Sequence, residues 1–167
     1  LVRAARAEVL NSLTFDNGDF LEGEALSELH ARSGGRGLHP VIAAMNAVGY
    51  DAATLGNHEF SYGMGFLSRA LARAEFPVLG ANAVRVLGPD PTGDSPFCPP
   101  VLILDRVLVS AGGERAPLRI GLIGLMPPQI DIWEDGNLAG GIATRDIIET
   151  AEAWVPRLRA GGADLVV

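Results

Sequence analysis

The chain has 167 residues, 48% of them hydrophobic, and carries 13 Lys and Arg against 20 Asp and Glu for a net charge of −7. That length is one domain or part of one, and the apolar content is far above that of a disordered chain. No Lys/Arg-rich block follows a phosphate backbone and no segment is long and apolar enough to span a bilayer, so neither duplex nucleic acid nor a membrane is an expected partner.

In chain order, residues 3–11 predict a helix, being Ala, Arg, Glu and Leu with no breaker. Residues 12–15 read as a short strand ending at Asp16, and Asn17-Gly18-Asp19 as the loop at its carboxyl end. Gly34 to Gly37 is a flexible connector. Pro40 suits a first helical turn, Val41, Ile42, Met45 and Val48 follow at helical spacing, and Gly49 stops the run. Residues 52–55 form a second strand pattern, and Gly56-Asn57-His58-Glu59 follows it directly. Phe66, Leu67, Ala70 and Leu71 mark the next helix, and residues 77–79 the next strand.

Residues 88–100, rich in Pro, Gly, Asp and Ser, read as a surface loop, because strand patterns resume beyond them. Residues 101–109 and 118–125 predict an antiparallel hairpin joined through Gly112-Gly113-Glu114-Arg115. Thr144 reads as the N-cap of a helix whose stripe is Ile147, Ile148, Ala151, Trp154, Val155 and Leu158, closed by Gly161-Gly162. Pro156 inside it predicts a kink or an early stop. The chain opens on Leu1 without an initiator Met or signal-peptide pattern, and a strand pattern is unfinished at residues 164–167. Both ends read as cut, so a piece of a longer protein is expected. The alternation with one hairpin predicts an α/β fold, a mixed sheet covered by helices.

Two clusters carry candidate chemistry. Asp19 is a carboxylate that can bridge two divalent cations, although Asn-Gly-Asp is also common turn chemistry. Asn57 offers a neutral amide oxygen as a ligand, with a helix N-cap as the bland alternative. His58 has an ordinary pKa near neutrality and suits protonation of a leaving oxygen. Gly56 lets the backbone turn sharply. Four specified residues recur by chance at roughly 1 in 10⁵ per position, and placement after a strand sharpens the signal. His30 and His39 read as exposed helix and loop residues, and Trp133 and Trp154 as packing. Gly121-Leu122-Ile123-Gly124 lacks a dinucleotide-binding pattern. Cys98, the single cysteine, reads as a half-buried loop thiol that excludes an internal disulfide.

Asp16-Asn17-Gly18-Asp19-Phe20-Leu21-Glu22-Gly23 and Leu55-Gly56-Asn57-His58-Glu59-Phe60-Ser61-Tyr62-Gly63 resemble two signature blocks of the calcineurin-like metallophosphoesterases, in the 5′-nucleotidase group. The stretch from Ile120 to Ile130 and the helix around Ile147 to Val155 resemble its bacterial 2′,3′-cyclic-nucleotide 2′-phosphodiesterase/3′-nucleotidase branch. The resemblance covers nearly the whole chain. It implies a pair of sheets flanked by helices and two divalent metal ions (Mn, Mg, Fe, Co or Zn). Asp19 would be the bridging ligand, Asn57 a ligand of one metal and His58 the catalytic acid. A metal-bridging hydroxide would attack the phosphorus of a small nucleotide, and the full-length protein would be periplasmic.

The family's upstream Asp-x-His pair and its downstream His and His-x-His have no match. The expected unit is therefore a partial N-terminal metallophosphoesterase domain at residues 1–167, without the remaining ligands or a C-terminal nucleotide-binding domain, and inactive alone. Ser61 stands where 5′-nucleotidases carry an Asp paired with the catalytic His, which tilts against a strict 5′-nucleotidase. A 5′-nucleotidase or nucleotide pyrophosphohydrolase, and a degenerate binding module, are the rival expectations.

Overall fold

The computed structural model describes residues 1–133, 135–138 and 141–167. Its elements are α1 (Val2–Ala7), β1 (Phe15–Asp16), α2 (Ala25–Arg32), α3 (Pro40–Val48), β2 (Ala52–Thr54), a 3₁₀ turn (His58–Phe60), α4 (Met64–Leu71), β3 (Val78–Leu79) and β4 (Ala83–Val86). There follow β5 (Ser95–Pro96), β6 (Val101–Val109), β7 (Arg115–Ile123), α5 (Ile130–Trp133), α6 (Asp135–Leu138), β8 (Ala143–Thr144), α7 (Ile147–Ala160) and β9 (Leu165–Val166).

The strands form three three-stranded sheets: β1-β2-β3, β5-β4-β8 and β6-β7-β9. β1-β2-β3 is wholly parallel. Side chains alternate along its strands, as the two-residue period requires. Ala53 and Val78 face one core with Ile42 and Met45 of α3 and Phe66, Leu67 and Ala70 of α4. Ala52 and Leu79 face the other way, onto Ile120 and Leu122 of β7. On the far side of β7, a Cβ at Gly121 would press on Leu158 of α7 and on Ala163. The layers thus run helices, parallel sheet, hairpin sheet, helix. The α/β sandwich flanked by helices matches the expectation, with β5-β4-β8 as an additional small sheet.

Local chemistry sets most boundaries. Pro40 starts α3, and Gly49 ends it in the left-handed region at φ 78°. The hairpin pairs nine residues on each strand, from Val101–Ile123 to Val109–Arg115. β7 therefore begins before residue 118 and takes in Pro117. β9 pairs with β7 only at Ile120 and Gly121, so a missing N–H at Pro117 leaves no partner unsatisfied.

Several expectations are corrected. The first helix stops at Ala7, and residues 8–11 turn away. The first strand is confined to Phe15–Asp16. α2 escaped the sequence pattern because Leu26 and Leu29 are exposed while the buried residue is Ser27. Residues 88–100 contain β5 and are tied down by Arg145, whose guanidinium meets Asp94 at 2.5 and 2.9 Å and the Gly88 carbonyl at 2.6 Å. Thr144 lies in β8, where its hydroxyl donates to the Pro128 carbonyl and to Asp131. Asp146 caps α7 instead, accepting from Ile148 and Glu149 N–H at 2.8 and 3.0 Å. α7 runs through Pro156 to Ala160. Glu152 and Pro156 share its exposed face, so water can take the carbonyl that Pro156 cannot bond. Trp133 is 58% exposed, whereas Trp154 is half-buried. Cys98 is buried, which pushes its thiol up to about 11.

His39 overturns its expectation most clearly. It is 1% exposed, and its Nδ1 accepts the Val41 N–H at 3.3 Å as the cap of α3. Its ring meets His30 edge-on, with centroids 5.1 Å apart, and its buried Nε2 makes no well-formed hydrogen bond among the described residues. Burial, then the neighbouring His30 charge, lower its pKa to about 4, against a smaller opposing pull from the Leu21 backbone. Between pH 6.5 and about 4 the unfolded chain therefore binds a proton that the folded chain refuses. This contribution is complete above pH 6.5 and is lost as pH falls, by up to about 3 kcal/mol. We expect urea midpoints measured against pH to fall more steeply over that window in the natural chain than in His39→Asn, which keeps a capping acceptor. Parallel curves for the two would show that His39 does not carry the effect.

Candidate active site

β1 and β2 lie side by side and parallel, with Phe15 opposite Ala52 and Asp16 opposite Ala53. Their carboxyl-end loops therefore leave the sheet together, as loops do in parallel α/β sheets. This brings Asn17-Gly18-Asp19 against Leu55-Gly56-Asn57. Gly18 has φ 92°, and a Cβ there would collide with the Gly56 backbone. A Cβ on Gly56 would collide with the Asp19 carboxylate and backbone. Asp19 is the one non-glycine with positive φ among the described residues, at 66°. Two glycines thus clear the space into which the Asp19 carboxylate is set.

Glu59 binds the two loops together. It is fully buried, and its Oε2 accepts the Asp19 N–H at 2.7 Å and the Gly56 N–H at 2.6 Å. Its Oε1 accepts the Phe20 and Leu21 N–H groups at 2.7 and 3.1 Å. Burial pushes this carboxyl up, and the four donors oppose that push. A further tie runs from the His58 N–H to Asp19 Oδ1 at 3.0 Å.

His58, on the 3₁₀ turn after Asn57, presents its ring beside these loops. Its Nδ1 lies 2.7 Å from Glu22 Oε2. That hydrogen bond raises the His58 pKa, with the Asp19, Glu22 and Glu59 charges adding to it against desolvation. Burial alone would raise the Glu22 pKa, but hydrogen bonds from Ser61 and His58 bring it below the ordinary value. Asp16 is raised by burial, which the Gly18 N–H opposes and the Asp19 charge reinforces. Asn57 occupies the N-cap position of the turn, yet its side chain makes no capping bond.

No family model matches the chain. The 2′,3′-cyclic-nucleotide 2′-phosphodiesterase/3′-nucleotidase of Haemophilus influenzae is 41% identical over 170 residues, which span all of this chain and 25% of that protein. The protein of the same description from Yersinia enterocolitica is 43% identical over 169 residues, again 25% of its length. The crystal structure of calcineurin-like phosphoesterase YfkN from Bacillus subtilis superposes with a TM-score of 0.87 at 36% identity, over 99% of this chain and 49% of that one. The chain belongs to the calcineurin-like phosphoesterases.

This phosphoesterase chain spans about a quarter of the length of the curated relatives it matches. Asp19, Asn57 and His58 lie on the two adjacent loops that leave β1 and β2. His30 and His39 stay apart from them, packed on Phe66. Asp19 and Asn57 are hard oxygen donors of the kind divalent cations take, and Gly56 keeps space at the Asp19 carboxylate. They fit one side of a metal site. Among the described residues no group of three or more His, Cys, Asp or Glu is placed to enclose a cation.

Glu59 and Glu22 had no role in the sequence reading. Glu59 stands within the quoted tetrapeptide, directly after the polar pair Asn57-His58, and nothing in the linear pattern marks it as buried. Glu22 is 36 residues from its partner, and nothing in the linear pattern pairs them. No helix among the described residues is long and apolar enough to cross a membrane.

Proposed function

We propose that this chain is part of the N-terminal metallophosphoesterase domain of a longer, periplasmic protein that hydrolyses 2′,3′-cyclic nucleotides and 3′-nucleotides. The observation that carries the reading is the convergence of Asp19, Asn57 and the Glu22-bound His58 on adjacent loops of one sheet edge. Similarity along the whole of this chain to a quarter of proteins described by that activity supports the choice of substrate. Asp19 and Asn57 would hold divalent cations together with ligands from other parts of the longer protein. Bound cations would supply an activated water and neutralise charge on the phosphate. The neutral amide of Asn57 adds a ligand without adding charge.

His58 acts as general acid. Its Nδ1 is occupied by Glu22, so Nε2 is the atom that gives a proton to the departing ribose oxygen. As the P–O2′ bond of a cyclic nucleotide breaks, its electron pair goes to O2′, which takes that proton. A water oxygen bonds to phosphorus, and the water's surplus proton leaves to solvent.

The test compares 2′,3′-cyclic AMP, 3′-AMP and 5′-AMP on the longer protein with Mn²⁺ and with EDTA. We expect metal-dependent turnover of the first two. Turnover of 5′-AMP alone would make it a 5′-nucleotidase, and none of any substrate a degenerate binding module. Residues 1–167 alone should show no turnover with Mn²⁺ and 2′,3′-cyclic AMP. Robust turnover there would contradict the incomplete metal site.

A further inference from the structure

We propose that Glu22 is the positioning residue for His58, with Ser61 holding Glu22 in place; this rests on the general-acid role given to His58 above. The His58 side chain is 48% exposed and stands on a short 3₁₀ turn, where packing alone does little to fix its ring. Glu22 supplies the missing constraint. Its own backbone is anchored from the preceding residues: Phe20 and Leu21 are buried, and both give their N–H groups to Glu59. From that anchored point the carboxylate reaches the imidazole Nδ1 at 2.7 Å. The Ser61 hydroxyl, three residues beyond His58, bonds the same carboxylate. The Ser61 N–H also bonds the His58 carbonyl at 3.4 Å, so both groups flanking Glu22 belong to one turn.

An ionised carboxylate only accepts hydrogen bonds, so Nδ1 must carry a hydrogen in this pair. The pairing therefore sets both the tilt of the ring and its tautomer, and it leaves Nε2 as the atom that exchanges a proton with an ester oxygen. Stability is a poor account of the contact. Glu22 and His58 side chains are 32% and 48% exposed, and pairs in that setting add little to folding. Glu22 could be replaced without losing the fold, and the effect should appear in chemistry.

General-acid assistance matters in proportion to the basicity of the leaving oxygen. In 3′-AMP the P–O3′ bond breaks and O3′, an alkoxide, needs the His58 proton. In p-nitrophenyl phosphate the phenolate departs without it. The experiment measures both substrates on the full-length protein with Mn²⁺, for Glu22→Ala, Glu22→Met and Glu22→Gln. With 3′-AMP, kcat should fall about 10- to 100-fold in Ala and Met at nearly unchanged KM, the scale set by general-acid catalysis. With p-nitrophenyl phosphate the fall should stay within about 3-fold. Gln should retain most activity on both, because its amide oxygen still accepts from Nδ1–H. Met has the length of Glu with only a weak thioether acceptor, so it decides the question if Ala fails to fold. Equal losses on both substrates, or no loss on 3′-AMP, would overturn the positioning role while leaving the phosphoesterase reading intact. An unsubstituted protein inactive on both would overturn that reading and this inference with it.

Discussion

Replacing Glu59 by alanine should cost about 3–5 kcal/mol of folding stability, a large part of what a small domain has. Four backbone N–H groups, from Asp19, Phe20, Leu21 and Gly56, point at this one carboxylate. Removing it leaves buried donors without partners, at about 1–3 kcal/mol each before relaxation or water entry. The natural pair of oxygens also spans two loops, so its loss uncouples Asp19 from Gly56 as well as destabilising each. Glu59→Gln keeps the shape but turns an amide N–H₂ toward two of the donors, and should fall between Ala and the natural residue. Urea unfolding followed by circular dichroism reads the effect. A change under about 1 kcal/mol in Glu59→Ala would mean the carboxylate is not the clamp between the loops.

The second large effect is catalytic. In the longer protein proposed above, His58→Ala should lower kcat on 2′,3′-cyclic AMP by about 10²- to 10⁴-fold, the range for losing a general acid. Its side chain is half exposed and its N–H bond to Asp19 belongs to the backbone, so the fold and the Asp19 geometry should survive. The melting temperature should stay within about a degree or two, as for a surface substitution. Bis(p-nitrophenyl) phosphate, whose leaving group needs no proton, should be spared most of the loss. If kcat on the cyclic nucleotide barely moves, another group donates the proton and His58 has a different task.

Much of the site was legible locally. Short apolar runs ending in Asp16 and Leu55 placed Asp19 and Asn57-His58 at strand ends. Gly18 and Gly56 marked places where backbone approaches backbone, and both do. Pro40 and Gly49 punctuated α3 within a residue. What failed depended on distant partners. Thr144 and Asp146 are both good caps by residue type, and pairing of Thr144 with Val84's neighbour Ala83 in the small sheet decided between them. His39 looked exposed because a lone histidine after a glycine-rich connector usually is, yet α2 and α4 close over it.

The sequence by itself determined the α/β class, the hairpin, and the two chemical loops, because each depends on residues within a few positions of one another. Apolar period, glycine freedom and proline restriction act at that range. Only the tertiary structure decided which groups those loops use. Glu59 finds donors 38 to 40 residues away, His58 finds Glu22 at 36, and Arg145 finds Asp94 at 51. Hydrogen-bond partners at such separations are set by strand order and register, here the parallel pairing of β1 with β2, and no linear spacing encodes them.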